Sequence, residues 1–212
     1  MTETRKLAAI LAADVVGFSR LTGADEDRTL ARLRALRSDL IDPTIAVHKG
    51  RVVKRTGDGA LVEFRSVVDA VRCAIEVQNA MIERNTGLPA ERRIEFRIGI
   101  HIGDVVEESD GDLTGDGINI ASRLEGVATP GAICLSEDAY RQVRARLDHQ
   151  IADLRGIHAG IALEAHLDEP GLDGGHRFPS LPGRAERRRR QAGMAAAGRT
   201  RAGWSMSLQS RC

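Results

Sequence analysis

The chain has 212 residues, a formal charge of +1 and an aromatic content of 3%. That length accommodates one sizeable domain with a tail, and the scarcity of aromatics excludes a base-stacking surface for single-stranded nucleic acid. A strongly basic stretch over residues 184–201 offsets a mildly acidic remainder, so the net charge itself points to no class of partner.

The first apolar run, "KLAAILAADVVGF" at 6–18, reads as a buried central strand closed by Gly17, and Asp14 is its one acidic residue. Its apolar part is too short to span a bilayer and no cleavage site follows it. A soluble cytoplasmic protein with no membrane partner is therefore expected. The three cysteines, Cys73, Cys134 and Cys212, have unrelated spacings and form neither a disulfide framework nor a metal knuckle. Cys73 and Cys134 sit in apolar runs and read as buried thiols.

Residues 25–47 carry leucines at 30, 33, 36 and 40 between arginines, the stripe of a helix that Pro43 should disturb near its end. Residues 51–64 form a hairpin with Gly57-Asp58-Gly59 at its tip. Asp-Gly is the commonest short hairpin turn, the glycine supplying the positive φ, and by itself it gives Asp58 no chemistry. Ser66 is the expected N-cap of a helix over 67–84, and "IEFRIGIHIGDVV" at 94–106 alternates as a strand. The order is β-α-β-β-α-β, an α+β ferredoxin-like or palm-like sandwich with helices on one face of an antiparallel sheet. A polar loop over 107–117, a helix over 117–128, a short strand and a helix capped by Ser136 complete a domain at 1–154. Residues 155–212 lose all periodicity and read as a poorly structured Arg/Gly/Pro-rich tail. Their bias is that of a shifted reading frame in a GC-rich gene, a hypothesis that an intact frame in the sequenced locus would sink. The "RRRR" run reads as solvated chain, so nucleic acid is not expected as a partner.

In this topology the first strand neighbours the hairpin, so Asp14 and Asp58 converge. Two adjacent carboxylates imply either a shared proton or a divalent cation between them. The turn after Asp14, residues 15–19, offers backbone amides to an anion ahead of the next helix. Carboxylates, anion turn and palm-like sheet together indicate a nucleoside triphosphate with metal.

The segments "AADVVGFS", "KRTGDGALVEF", "RIGIHIGDV" and "GDLTGDGINIASRLE" together resemble the catalytic domain of class III nucleotidyl cyclases, above all the bacterial adenylate cyclases. The likeness extends over about two thirds of the chain. It implies that Asp14 and Asp58 hold two divalent ions, Mg²⁺ or Mn²⁺, over the triphosphate of ATP. It implies further that Val15, Gly17, Phe18 and Ser19 shape the triphosphate turn. Lys54 and Asp112 fall on the purine-selecting pair, and Asn119 and Arg123 on the pair that orients the ribose and stabilises the charge of the transferred phosphate. The implied reaction gives 3',5'-cyclic AMP and pyrophosphate at sites shared across a head-to-tail homodimer. His101 and Asp104 read as structural. Thr114 stands where relatives carry an aromatic, and the tail lacks the family's last strands. The rival expectation is thus a non-catalytic nucleotide-binding or dimerisation module.

Overall fold

An apolar run broken by one acid must be covered on both faces, and β1 (Thr4–Val15) is the strand around which everything else is arranged. In the computed structural model, which describes residues 4–152 and 159–161, β1 pairs antiparallel along its whole length with β4 (Phe96–Glu107). Its other edge takes β3 (Gly59–Phe64), itself paired with β2 (Arg51–Thr56). Beyond β4 lie β6 (Ile133–Leu135) and β7 (Ala159–Ile161), both parallel, while β5 (Leu113–Thr114) pairs with the end of β4. The expected β-α-β-β-α-β sandwich is the core of this sheet.

One face of the sheet carries Leu11, Val62, Phe64, Ile98 and Ile100. It is covered by α2 (Glu26–Leu36), by α4 (Val67–Arg84) through Val71, Ala74 and Met81, and by α6 (Glu137–Ala152) through Ala139 and Val143. The other face carries Ala8, Ile10, Ala12 and Val105 and receives Ala121 of α5 (Asp116–Val127). Helices therefore flank both faces: the two of the predicted unit share one side, and α5 takes the other.

Gly99 explains how α5 gets so close. A Cβ there would lie 2.2 Å from the Ala121 carbonyl oxygen and 2.3 Å from the Glu125 amide nitrogen, both backbone atoms that cannot swing aside. Gly99→Ala should therefore lower stability by roughly 3 kcal/mol or more, read by chemical denaturation. A loss under about 0.5 kcal/mol would refute the close approach.

The helix expected over 25–47 is three pieces: α2, a π-helical segment (Arg37–Ile41) and α3 (Asp42–Val47). The helical backbone runs on through all three, Ile41 and Asp42 both staying right-handed, and the disturbance expected of Pro43 is the π-helical stretch just ahead of it, closed by the Asp42 amide donating to the Arg37 carbonyl. Ser66 holds the N-cap position of α4 in extended backbone, but its side chain makes no cap bond. The Ser136 hydroxyl does cap α6, accepting from the Ala139 amide at 3.3 Å. Cys73 and Cys134 are both buried, and burial, with the charge of Glu76 adding to it, pushes the Cys73 thiol up to about 12.

β7 falls beyond the domain boundary expected at 154. The rest of the tail reading, with Cys212 and the basic run, lies outside the described residues. Among the described residues no helix is long and apolar enough to cross a membrane.

Candidate active site

Asp14 is the penultimate residue of β1, and the register Ala13↔Ala60 sets the β2–β3 turn beside it. Thr56 pairs with Gly59, so the turn residues are Gly57 and Asp58, and the positive φ of 60° belongs to Gly57. The expected Asp-Gly turn is thus a Gly-Asp turn. Gly59 is needed for a different reason: a Cβ on it would lie 2.9 Å from the Ala13 carbonyl oxygen and 3.3 Å from Asp14 Oδ1. The glycine lets β3 close on the strand end, which brings the two carboxyls together. Arg37, in the π-helical segment, donates Nη2 to the Gly57 carbonyl and fixes the turn from the helix side.

The Asp58 carboxyl is held above its ordinary value, first by burial and then by the charge of Asp14 and a hydrogen bond with it. Its own amide and that of Val15 pull the other way without prevailing. A pair that resists ionising together accommodates either a shared proton or a small hard cation. Among the described residues no group of three or more His, Cys, Asp or Glu could hold a metal. Two carboxylates are nonetheless the protein donor set that Mg²⁺ takes when substrate phosphates and water complete its octahedron, so the residues fit that ion.

Arg97 is the site residue that sequence reasoning missed. It lies opposite Asp14 in the β1–β4 register and donates Nη2 to Asp14 Oδ2 at 3.1 Å. Its Nε lies 3.0 Å from Glu125 Oε1 of α5. Burial raises the Glu125 carboxyl; the Arg97 charge opposes that, and the charges of Asp14 and Asp58 add to it. Arg97 therefore ties the carboxylate pair to α5. The available signal was a charge set among the apolar residues of the first half of β4, Phe96 to Ile100, much as Asp14 is set in β1.

The anion turn is shorter than expected. The Val15 amide is directed at Asp58, and the Val16 amide donates to the Glu95 carbonyl at 2.9 Å. Gly17, in left-handed conformation, is the N-cap of α1 (Phe18–Ala24), which leaves the amides of Gly17, Phe18 and Ser19 for an anion. Phe18 packs against the main core and Ser19 is exposed.

A second pair forms on β2. Lys54 Nζ lies 3.4 Å from Asp112 Oδ2, with side chains 57% and 35% exposed. The Asp112 carboxylate is oriented by its own loop. Oδ1 accepts from the Leu113 amide at 2.9 Å, the Asp112 amide donates to Asp110 Oδ1 at 3.0 Å, and its carbonyl accepts from the Glu108 amide at 2.9 Å. Oδ2 is thereby directed at Lys54. Thr114 donates to Glu108 Oε1 at 3.2 Å in the same loop.

Asn119 and Arg123 are one turn apart and exposed on α5, on the side away from buried Ala121 and Leu124. Among the described residues they make no hydrogen bond or ion pair with either pair, so one chain assembles two of the three expected groups and leaves the third facing outward. His101 is buried on β4 and lies over Gly103, where a Cβ would meet its Nε2 at 2.5 Å. The Asp104 carbonyl backs onto Gly117, 3.1 Å from where a Cβ would stand.

A profile of the family described as "Adenylate and Guanylate cyclase catalytic domain" matches residues 2–159. "Putative adenylate cyclase 3" of Rhizobium meliloti (strain 1021) is 48% identical over 154 residues, covering 73% of this chain and 26% of the relative. An adenylate cyclase of Streptomyces coelicolor is 34% identical over 121 residues, 57% of this chain and 30% of the relative. The chain thus spans about 26 to 30% of the length of these two relatives. Among solved structures, an adenylate/guanylate cyclase/hydrolase from Silicibacter pomeroyi superposes with a TM-score of 0.63 at 48% identity, covering 68% of this chain and 82% of that one. The guanylyl cyclase Cya2 superposes with a TM-score of 0.58 at 26% identity, covering 67% and 80%.

Proposed function

The chain belongs to the adenylate and guanylate cyclase catalytic domain family, and from that premise we propose that it is an adenylate cyclase that converts ATP to 3',5'-cyclic AMP and pyrophosphate. The observation that carries the choice of base is the Lys54–Asp112 pair. An ammonium donates to adenine N1 and a carboxylate accepts from the 6-amino group, whereas guanine presents the opposite pattern at those positions.

Asp14 and Asp58 would hold the divalent ions, Mg²⁺ or Mn²⁺ and two per site. The chemistry those ions supply when bound is activation of the ribose 3'-hydroxyl and neutralisation of the triphosphate. The Gly17–Ser19 amides meet the phosphate oxygens, and Arg97 keeps Asp14 oriented from β4. Asn119 positions the ribose. Arg123 stabilises the charge that grows as the 3'-oxygen bonds to the α-phosphorus and the bond to pyrophosphate breaks. Since Asn119 and Arg123 face away from their own chain, the complete site is supplied by a head-to-tail homodimer, metal carboxylates from one subunit and α5 from the other.

The test is cyclic AMP formation from ATP with Mg²⁺ or Mn²⁺ across a range of protein concentrations. Activity should rise faster than linearly while the dimer is forming; no product from folded protein would refute the reading. Lys54→Ala should lower kcat/KM for ATP about 100-fold, the loss of one charged hydrogen bond with its partner stranded, and should change GTP turnover less than about threefold. Equal losses for the two nucleotides would mean that Lys54 does not read the base.

A further inference from the structure

We propose that Arg51 is a positioning residue for base recognition, holding the loop that presents Asp112 to Lys54. This rests on the reading of Lys54 and Asp112 as the adenine-recognising pair.

Strand geometry places Arg51 on the right side of the sheet. Residues three apart on a regular strand point to opposite faces, but β2 has a bulge between Val52 and Lys54, so Arg51 pairs with Glu63 and Lys54 with Leu61. Glu63 and Leu61 are two apart on β3 and share a face. Arg51 and Lys54 therefore share one as well, and the bulge re-aims the lysine, as bulges near functional sites do. The face is the one opposite α4, since Glu63 stands across from Ile10 of β1.

On that face Arg51 belongs to a closed circuit of four charges drawn from four strands. Its Nη2 reaches Glu63 Oε2 at 2.7 Å and Glu107 Oε1 at 2.8 Å, while Lys6 Nζ reaches Glu63 Oε1 at 2.6 Å and Glu107 Oε2 at 2.7 Å. Arg51 Nε adds a second bond to Glu63 Oε2 at 2.9 Å. Each carboxylate is shared by both cations, and the Glu63 side chain is only 11% exposed, so the circuit is a network anchored at the sheet and unlike an isolated surface pair.

The remaining fork of the guanidinium leaves the circuit. Arg51 Nη1 donates at 3.0 Å to the carbonyl of Gly111, the residue immediately before Asp112. The 108–112 loop closes on itself through the Gly111 amide to the Glu108 carbonyl at 3.0 Å and the Glu108 amide to the Asp112 carbonyl at 2.9 Å. Besides the Lys54–Asp112 contact itself, Arg51 ties this closed turn to β2, and it does so through the loop backbone. A lysine can replace one arm of the circuit but not the planar fork that reaches Glu63, Glu107 and Gly111 at once.

The experiment compares the full-length parent with Arg51→Lys, Arg51→Ala, Lys54→Ala and Asp112→Asn, reading dissociation constants for fluorescent ATP and GTP analogues with Mg²⁺, KM and kcat for ATP, and thermal midpoints. Arg51→Lys is expected to stay folded, to weaken ATP binding and raise KM about tenfold with kcat within about twofold, and to erode the ATP-over-GTP preference by a similar factor. Arg51→Lys combined with Asp112→Asn should be no worse than Asp112→Asn alone, because Arg51 acts through Asp112. Additive losses in that pair overturn the proposal, as does an unchanged nucleotide preference in a folded Arg51→Lys. If Lys54→Ala and Asp112→Asn also leave the preference unchanged, the base-recognition reading itself has failed. If they abolish it while Arg51→Lys does not, only the role of Arg51 has failed. Should Arg51→Ala not fold, Arg51→Lys carries the test.

Discussion

Asp58→Asn should reduce cyclic AMP formation to below about a thousandth of the parent rate, as loss of a carboxylate that positions a catalytic cation does, while the protein stays folded. The amide oxygen can still accept from the Val15 amide, and Asp14 keeps its bond to Arg97 at 3.1 Å. What changes is the charge, and its effect on stability has a definite sign. Because the Asp58 carboxyl is raised in the folded protein above the usual 3.8, first by burial and then by Asp14, the folded state holds that proton more tightly than the unfolded chain. The stability this group contributes is therefore lost as pH rises from about 4 through the folded value, and Asp58→Asn lacks that contribution. Without divalent metal the variant should melt level with or about 1–2 °C above the parent at pH 7, a small gain because the site is partly solvated. The difference should vanish below pH 3.8. Adding Mg²⁺ with a non-hydrolysable ATP analogue should reverse the order by stabilising only the parent. An Asp58→Asn protein that still makes cyclic AMP, or that Mg²⁺ and the analogue stabilise as much as the parent, would remove Asp58 from the metal site.

Asp14 was legible because a lone acid in an apolar strand has no structural excuse. Arg97 is a weaker signal of the same kind, one of several polar residues in β4, and its meaning depends on a register joining residues 83 apart, which periodicity along one strand does not carry. The hairpin was legible as a hairpin, yet the turn was misplaced by one residue, since the demand on Gly59 comes from the Ala13 carbonyl of another strand. Pro43 announced a disturbance in the 25–47 helix but not its form or place, because the leucine spacing at 33, 36 and 40 runs through the π-helical segment without marking it. β7 is three residues, Ala-Gly-Ile, too short to show alternation. The side of the sheet taken by α5 was written in Gly99, whose missing side chain is informative only once the helix is seen against it. For the site, residue types and family likeness nominated Lys54 and Asp112, but their meeting across 58 residues is a product of the fold.

Arg123→Ala, like Asp58→Asn, should be inactive alone, and a mixture of the two should be active. Arg123 is exposed on α5 and bonded neither to the Asp14–Asp58 pair nor to the Lys54–Asp112 pair, so its removal should leave the thermal midpoint within about 2 °C of the parent. Its expected cost in kcat is 10³-fold or more, the range of a guanidinium that meets transition-state charge on phosphorus. If the site joins Asp58 of one subunit to Arg123 of the other, each homodimer of either variant has two broken sites. A heterodimer of the two variants gathers both lesions into one site and leaves the other intact. With free exchange of subunits, half the dimers are heterodimers, and an equimolar mixture should recover roughly a quarter of the parent activity per total protein. Dilution should abolish the recovery faster than linearly as the dimers dissociate. A mixture that stays inactive, from two folded variants shown to exchange subunits, would place Asp58 and Arg123 in the same chain's site and end the head-to-tail arrangement. Recovery near a quarter would explain why a chain that brings Asp14 and Asp58 together so closely turns Asn119 and Arg123 away from them: they serve the other subunit.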